Sequence, residues 1–130
     1  MGFISGFGDV MSLETELLGS MIGRVSSEGG YELDLLGATL PSVPDAIPCI
    51  TLEEAHAIAG AAAGRDFSGE PDLDPEEERL VCEHSAREWG SEFAFVTHYP
   101  TSKRPFYAMD DPDAPGLTLS FDLLFRGLEI

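Results

Sequence analysis

Apolar residues recur at three- and four-residue steps over residues 9–25, a spacing that places them on one face of an α-helix. The stripe consists of Val10, Leu13, Leu17, Met21 and Val25. Asp9 is expected to cap the helix, and Gly29 to end it. The pattern predicts an amphipathic first helix that needs tertiary support, because Gly19 and Gly23 each cost about 1 kcal/mol relative to alanine.

Two further helices have start signals of their own. Thr51-Leu-Glu-Glu is a capping box, in which the first and fourth side chains bond each other's backbone amides, and it predicts a helix over residues 51–64. Asp74 followed by Pro75 and three glutamates predicts a helix over residues 74–90, with Leu80, Val81, Cys82, Ala86 and Trp89 on its buried side. Three prolines keep residues 41–50 extended.

The last third of the chain has the short apolar runs that are typical of strands. They predict strands over residues 93–97, 106–109 and 119–125, paired antiparallel, with the proline-rich stretch 110–116 as a turn. Together with the helices, these runs predict an α+β fold in which residues 1–130 form one domain.

Charge is the strongest compositional signal. Twenty-four acids stand against seven Lys and Arg residues, which gives a net charge of −17. Because nucleic-acid backbones attract cations, this chain alone is expected to repel nucleic acid. No apolar run approaches the roughly 20 residues of a membrane span, so a cytoplasmic location is expected. Cys49 and Cys82 lack metal-site spacing and are expected to be reduced.

Few residues have a pattern that indicates chemistry. His98 ends a strand at a Tyr-Pro turn, where functional side chains are common. His84 and Glu88 stand at helical neighbour spacing, which is typical of an ordinary pair on one helix face. Asp110, Asp111 and Asp113 match no calcium loop and indicate a solvated turn. No residue is assigned as catalytic.

Two candidates concern anions and metals. Lys103 and Arg104 lie beside two aromatic residues. They indicate either a nucleotide contact or a salt bridge with nearby carboxylates. Glu129 ends a run that is otherwise almost entirely apolar, so its carboxylate either points to solvent or enters a site. Carboxylates on rigid strands commonly hold Mg²⁺ against nucleotide phosphates.

Several blocks carry a family likeness. Phe95-Val-Thr-His-Tyr-Pro, Arg104-Pro-Phe-Tyr and Phe121-Asp-Leu-Leu-Phe-Arg-Gly-Leu-Glu-Ile resemble consecutive parts of class II aspartyl-tRNA synthetases of the archaeal, non-discriminating type. Met1-Gly-Phe-Ile resembles the stretch that follows motif 2 in that family. The resemblance implies a partial class II antiparallel sheet with flanking helices, and a segment that lies between motifs 2 and 3.

The family attaches aspartate to tRNA with ATP and Mg²⁺. By resemblance, Glu129 would bind Mg²⁺ and ATP. Lys103, Arg104 and His98 are further candidates for nucleotide binding. The arginine of motif 2 and motifs 1 and 3 have no counterpart here, so the chain alone is expected to be inactive and to bind neither cofactor tightly. Its expected partners are a second copy of itself or the remainder of a split synthetase, with tRNA bound only in the whole enzyme. A free-standing paralogue that acts as a binding or regulatory module is the alternative.

Overall fold

The computed structural model describes residues 3–130, so Met1 and Gly2, which open one of the resembling blocks, lie outside it. The chain divides into two units, with the boundary between Ile47 and Pro48. The candidate site residues all belong to the second unit, 48–130.

The first unit contains the predicted first helix, α1 (Phe7–Glu28), and a short helix, α2 (Gly30–Leu36), that the pattern did not predict. Gly6 is the N-cap of α1, so the assignment of Asp9 as cap is wrong. Asp9 lies in the first turn, where its carboxylate accepts the Ser5 amide at 2.6 Å. The predicted apolar stripe is exposed along its length, and Leu13 keeps 65% of its surface.

The helices of the second unit confirm the capping predictions. Helix α3 (Leu52–Ala63) begins after Thr51, whose hydroxyl accepts the Glu54 amide at 3.2 Å, while the Glu54 carboxylate accepts the Thr51 amide at 2.8 Å. Helix α4 (Pro75–His84) begins after Asp74, whose carboxylate accepts the amides of two following residues. Each reciprocal cap satisfies amides that a helix start leaves unpaired.

After α4 the chain continues as one π-helical turn, Ser85–Trp89, before Gly90. Ser85 is fully buried and donates to the Phe93 carbonyl at 2.8 Å. Ala86 and Trp89 are exposed, so their assignment to the buried side is wrong. A π-helical turn is wider than an α-helical one, so it changes which residues face inward. A prediction based on the α-helical period of 3.6 residues therefore assigns the wrong residues to the buried side.

Four strands form one sheet in the order β1 (Cys49–Thr51), β2 (Phe93–Thr97), β3 (Phe121–Phe125), β4 (Leu128–Glu129). Strands β2 and β3 pair antiparallel, as predicted, while β4, which was not predicted as a separate strand, pairs antiparallel with β3. Strand β1 was predicted only as extended chain, and it pairs parallel to β2 with Ile50 opposite Val96. The α+β class is confirmed, with a mixed sheet.

The predicted strand over residues 106–109 is wrong. The chain makes a turn there, closed by the Ala108 amide on the Pro105 carbonyl at 2.9 Å, and Phe106 and Tyr107 are 101% and 77% exposed. The third predicted strand, over residues 119–125, starts two residues too early, because β3 begins at Phe121. Pro105 removes a backbone donor next to this segment, and no neighbouring strand pairs with the aromatic side chains.

The core of the second unit lies where α3 and α4 cover one face of the sheet. Its buried residues include Ile50, Leu52, Ala55, Val81, Cys82, Ala94, Val96, Tyr99 and Leu124. Leu123, which projects from the opposite face of β3, is only 2% exposed. Strand β3 is therefore not left bare, since Leu123 and Leu124, which project from its two faces, are both buried.

Candidate functional site

A two-residue turn places Glu129. Arg126 and Gly127 connect β3 to β4, and both have positive φ angles, 50° and 89°. Such angles at both positions give the tight hairpin turn whose twist matches that of the strands. Glu129 pairs with Leu124 in the register of the hairpin. Because side chains alternate along a strand, Glu129 and Asp122 project from the same face.

Beside Glu129, the structure joins Arg104, Asp122 and Tyr99. Arg104 Nη2 donates to Asp122 Oδ2 at 2.5 Å, and its guanidinium lies over the Tyr99 ring, 3.8 Å from the centroid. Arg104 is 20% and Asp122 11% exposed, so the pair is largely shielded from water. Arg104 Nε is buried, and no acceptor for it lies among residues 3–130.

This packing perturbs the Tyr99 phenol. Burial, and then the carboxylate of Asp122, raise the pKa of Tyr99 far above its usual value, so the hydroxyl stays protonated and donates to Asp122. Asp122 thus receives hydrogen bonds from a cation and from a neutral phenol. The sequence analysis missed both residues. The signal for Asp122 was a single acid inside an apolar strand.

Further acids approach the same end of the sheet. Burial raises the pKa of Glu129, the charges of Asp122 and Asp72 raise it further, and Arg104 opposes them. Burial likewise raises the pKa of Glu78, whose carboxylate accepts the Glu129 amide. The acidic cluster is defined as these four carboxylates at one end of the sheet together with the Arg104 guanidinium; the carboxylates are those of Asp72, Glu78, Asp122 and Glu129. A group of opposite charge would relieve their mutual repulsion.

Lys103 ends a 3₁₀ turn, Thr101–Lys103, next to Arg104. It lines a pocket of about 470 Å³ whose other walls come from residues 65–77, including Asp72 and Glu77. The structure thus brings Arg104 and Glu129 together and places Lys103 opposite the loop that carries Asp72.

His98 lies in the wall of a different pocket. It follows β2 with a φ of 61°, its Nδ1 is 2.7 Å from Thr97 Oγ1, and its Nε2 is 3.5 Å from Asp111 Oδ2. Asp111 is only 9% exposed and accepts the Asp113 amide at 2.9 Å, so the solvated turn predicted there is wrong for this residue. Neither Glu129 nor Arg104 lines this pocket.

This larger pocket measures about 950 Å³ and lies against small residues of α3, among them Ala57, Gly60 and Ala61. Several of its polar lining groups already have partners within the chain. Thr51 is part of a capping box, and Arg65 contacts the carboxylates of Asp74 and Glu76 at 3.2 and 2.9 Å. The lining shows no preference for a particular ligand.

The remaining candidates have structural partners. Glu88 bonds Arg87 at 2.7 Å, and the His84 ring meets the Trp89 ring edge-on, with centroids 4.9 Å apart. Cys49 and Cys82 are free thiols. Within residues 3–130, no group of three His, Cys, Asp or Glu residues could hold a metal ion by itself. No helix of the same range is long and apolar enough to cross a membrane.

Comparisons with known proteins agree with this fold. The sequence matches the family described as tRNA synthetases class II (D, K and N) over residues 1–130. It is 47% identical to the aspartate–tRNA(Asp/Asn) ligase of Deinococcus radiodurans and 48% identical to that of Thermus thermophilus, covering 100% of this chain but 31% and 30% of those proteins. The chain thus spans about 30% of the length of these relatives.

A solved structure shows the same fold. The aspartyl-tRNA synthetase from Entamoeba histolytica superposes with a TM-score of 0.88 at 22% identity, covering 100% of this chain and 27% of that one. The family match extends over residues 1–130 and therefore establishes the family of this chain. The chain belongs to the class II tRNA synthetases of the D, K and N group.

Proposed function

We propose that this chain is a catalytic-domain segment of an aspartate–tRNA ligase, and that it contributes the acidic cluster to binding of ATP and Mg²⁺. The observation that carries the proposal is the hairpin geometry, which brings Glu129 to the face where Asp122 is held by Arg104. The similarity to two aspartate–tRNA(Asp/Asn) ligases supports aspartate as the amino acid.

The donor set fits Mg²⁺. This ion prefers carboxylate oxygens and commonly uses only one or two of them, with water and substrate phosphates as its other ligands. Asp122 and Glu129 would supply two carboxylates from one face of the sheet. The absence of a complete three-residue metal group among residues 3–130 is consistent with an ion that nucleotide oxygens help to bind. When bound, Mg²⁺ would offset the negative charge of the ATP phosphates.

Each protein group has a definable role in this proposal. Arg104 fixes the Asp122 carboxylate through a charged hydrogen bond and through its stacking on Tyr99. The backbone of Glu129 is anchored on Glu78, which leaves the Glu129 side chain available. Lys103 would add positive charge near the nucleotide. His98, which lines a separate pocket, would contribute to nucleotide binding from there.

The remainder of the reaction would come from other parts of such a ligase. With 24 acids against seven cations, this chain offers little attraction to tRNA. Because formation of the adenylate needs groups from those other parts as well, the isolated chain is expected to show no aspartate-dependent pyrophosphate exchange above that of its Glu129→Ala variant. A soluble, cytoplasmic setting belongs to the same proposal.

A chimeric enzyme tests the proposal directly. The matching segment of the Thermus thermophilus ligase is replaced by this chain, and aspartate-dependent pyrophosphate exchange is measured. We expect activity in the chimera, a loss of about 100-fold with Glu129→Ala, and little change with Glu32→Ala, an exposed glutamate on α2. A folded chimera without exchange, or a Glu129→Ala chimera with full exchange, would overturn the proposal.

A further inference from the structure

His56 occupies a position that the sequence left without a role. It lies in α3, is only 6% exposed, and both of its ring nitrogens have oxygen partners. Nδ1 is 2.6 Å from Glu77 Oε1, and Nε2 is 2.9 Å from the Glu70 carbonyl. Both partners are oxygen atoms, one of the Glu77 carboxylate and one of the Glu70 backbone, so the ring connects the loop to the start of α4.

Glu77 extends this connection to the start of α4. It is 1% exposed, and its second oxygen accepts the Asp74 amide at 2.9 Å. A buried carboxylate is costly unless it is fully hydrogen-bonded, and here the imidazole and the helix cap supply the bonds. One histidine therefore holds both ends of the stretch from Glu70 to Glu77.

Little freedom remains between these anchors. Only Pro71, Asp72 and Leu73 separate Glu70 from Asp74. Leu73 packs against the core, and its amide donates to the Asp72 carboxylate at 3.1 Å. The backbone that carries Asp72 is thus constrained by a proline, a partly buried leucine and two anchored ends.

Asp72 faces the proposed nucleotide site. It lines the 470 Å³ pocket together with Lys103, the neighbour of Arg104. Its negative charge also acts on Tyr99, Arg104 and Glu129, the groups at the end of the hairpin. Any displacement of residues 70–77 would change the field in which a nucleotide binds.

We infer that His56 is a positioning residue: by clamping both ends of residues 70–77, it holds Asp72 against the Arg104–Asp122–Glu129 group. The inference rests on the proposed function for its effect on nucleotide binding. His56 and Glu77 would act on the nucleotide site only indirectly, by positioning Asp72, because neither touches the hairpin residues in the contacts described above.

The test uses the ligase chimera with His56→Gln, Asp72→Asn and the double variant. His56→Gln and Asp72→Asn are each expected to raise the KM for ATP about fivefold with kcat nearly unchanged. In the first variant the Asp72 carboxylate is displaced and in the second it is removed, so its proposed contribution to binding of ATP and Mg²⁺ is lost. If His56 acts through Asp72, the double variant has the same KM as either single variant. His84→Gln, at the end of α4, is the control and should leave KM unchanged.

A second measurement keeps a failure of this inference distinct from a failure of the proposed function. Hydrogen exchange of the Asp74 amide in the 130-residue chain should accelerate about tenfold in His56→Gln and not in His84→Gln. If the unsubstituted chimera is inactive, the proposed function fails and this exchange alone decides whether the clamp exists. Unchanged Asp74 exchange, or additive KM effects in an active chimera, would overturn the inference.

Discussion

Replacing Gly127 by alanine should destabilise the hairpin that places Glu129. Gly127 has a φ of 89°, and an added Cβ would meet Arg79 of α4 at 3.2 Å from its Cα and 3.4 Å from its Cβ. The matched control is Gly116→Ala. Gly116 has nearly the same φ, 93°, but nothing lies within 4 Å of the added Cβ. The two variants therefore share the conformational penalty and differ in steric crowding.

The conformational penalty for a non-glycine residue with this backbone is about 1–2 kcal/mol, and both variants should pay it. Crowding against a helix backbone adds about 1–3 kcal/mol, since α4 has to move by a few tenths of an ångström or the turn has to open. Each kcal/mol lowers the melting temperature of a chain of this size by about 4 °C. We expect Gly116→Ala to lose about 4–8 °C and Gly127→Ala about twice as much.

Thermal unfolding followed by circular dichroism at 222 nm measures both values on the isolated chain. In the ligase chimera, Gly127→Ala should also reduce pyrophosphate exchange, because Glu129 lies two residues beyond the displaced turn, while Gly116→Ala should not. Equal melting temperatures for the two variants would show that the hairpin does not approach α4 as closely as described.

Three shorter predictions concern the cap, the thiols and the charge. Asp74→Ala should cost about 1 kcal/mol in urea unfolding, because two amides of α4 lose their acceptor; an unchanged midpoint would contradict the capping geometry. Partial desolvation raises the pKa of Cys49, although the residue is largely exposed, and burial raises that of Cys82. Less thiolate is therefore present at a given pH, and alkylation by iodoacetamide should reach half its maximal rate above about pH 8.5. Cys49, which is exposed, should react before Cys82, and equal rates would contradict the burial. In a gel shift at about 0.15 M salt, the isolated chain should not bind tRNA, and a shift at sub-micromolar protein would contradict the electrostatic reasoning.

Local signals in the sequence determined much of the second unit. The starts of α3 and α4 were predicted to the residue, because each capping box is complete within four consecutive residues. Strand β2 was also predicted with its observed bounds, since its five residues are all buried and bulky apolar side chains favour such a strand. The assignment of Arg104 and Glu129 came from a family resemblance rather than from spacing alone.

Other features depended on contacts between residues far apart in the chain. Residues 106–109 have strand-like composition, yet they form a turn because no strand pairs with them. The parallel pairing of Cys49–Thr51 joins segments more than 40 residues apart, and no local period encodes it. The same holds for His56, which sits among alanines in sequence and meets Glu77 21 residues later. Helix caps and apolar runs depend on residues close together in the sequence, so they can be predicted from it. The partners of buried polar groups come from distant parts of the chain and are determined only by the tertiary structure.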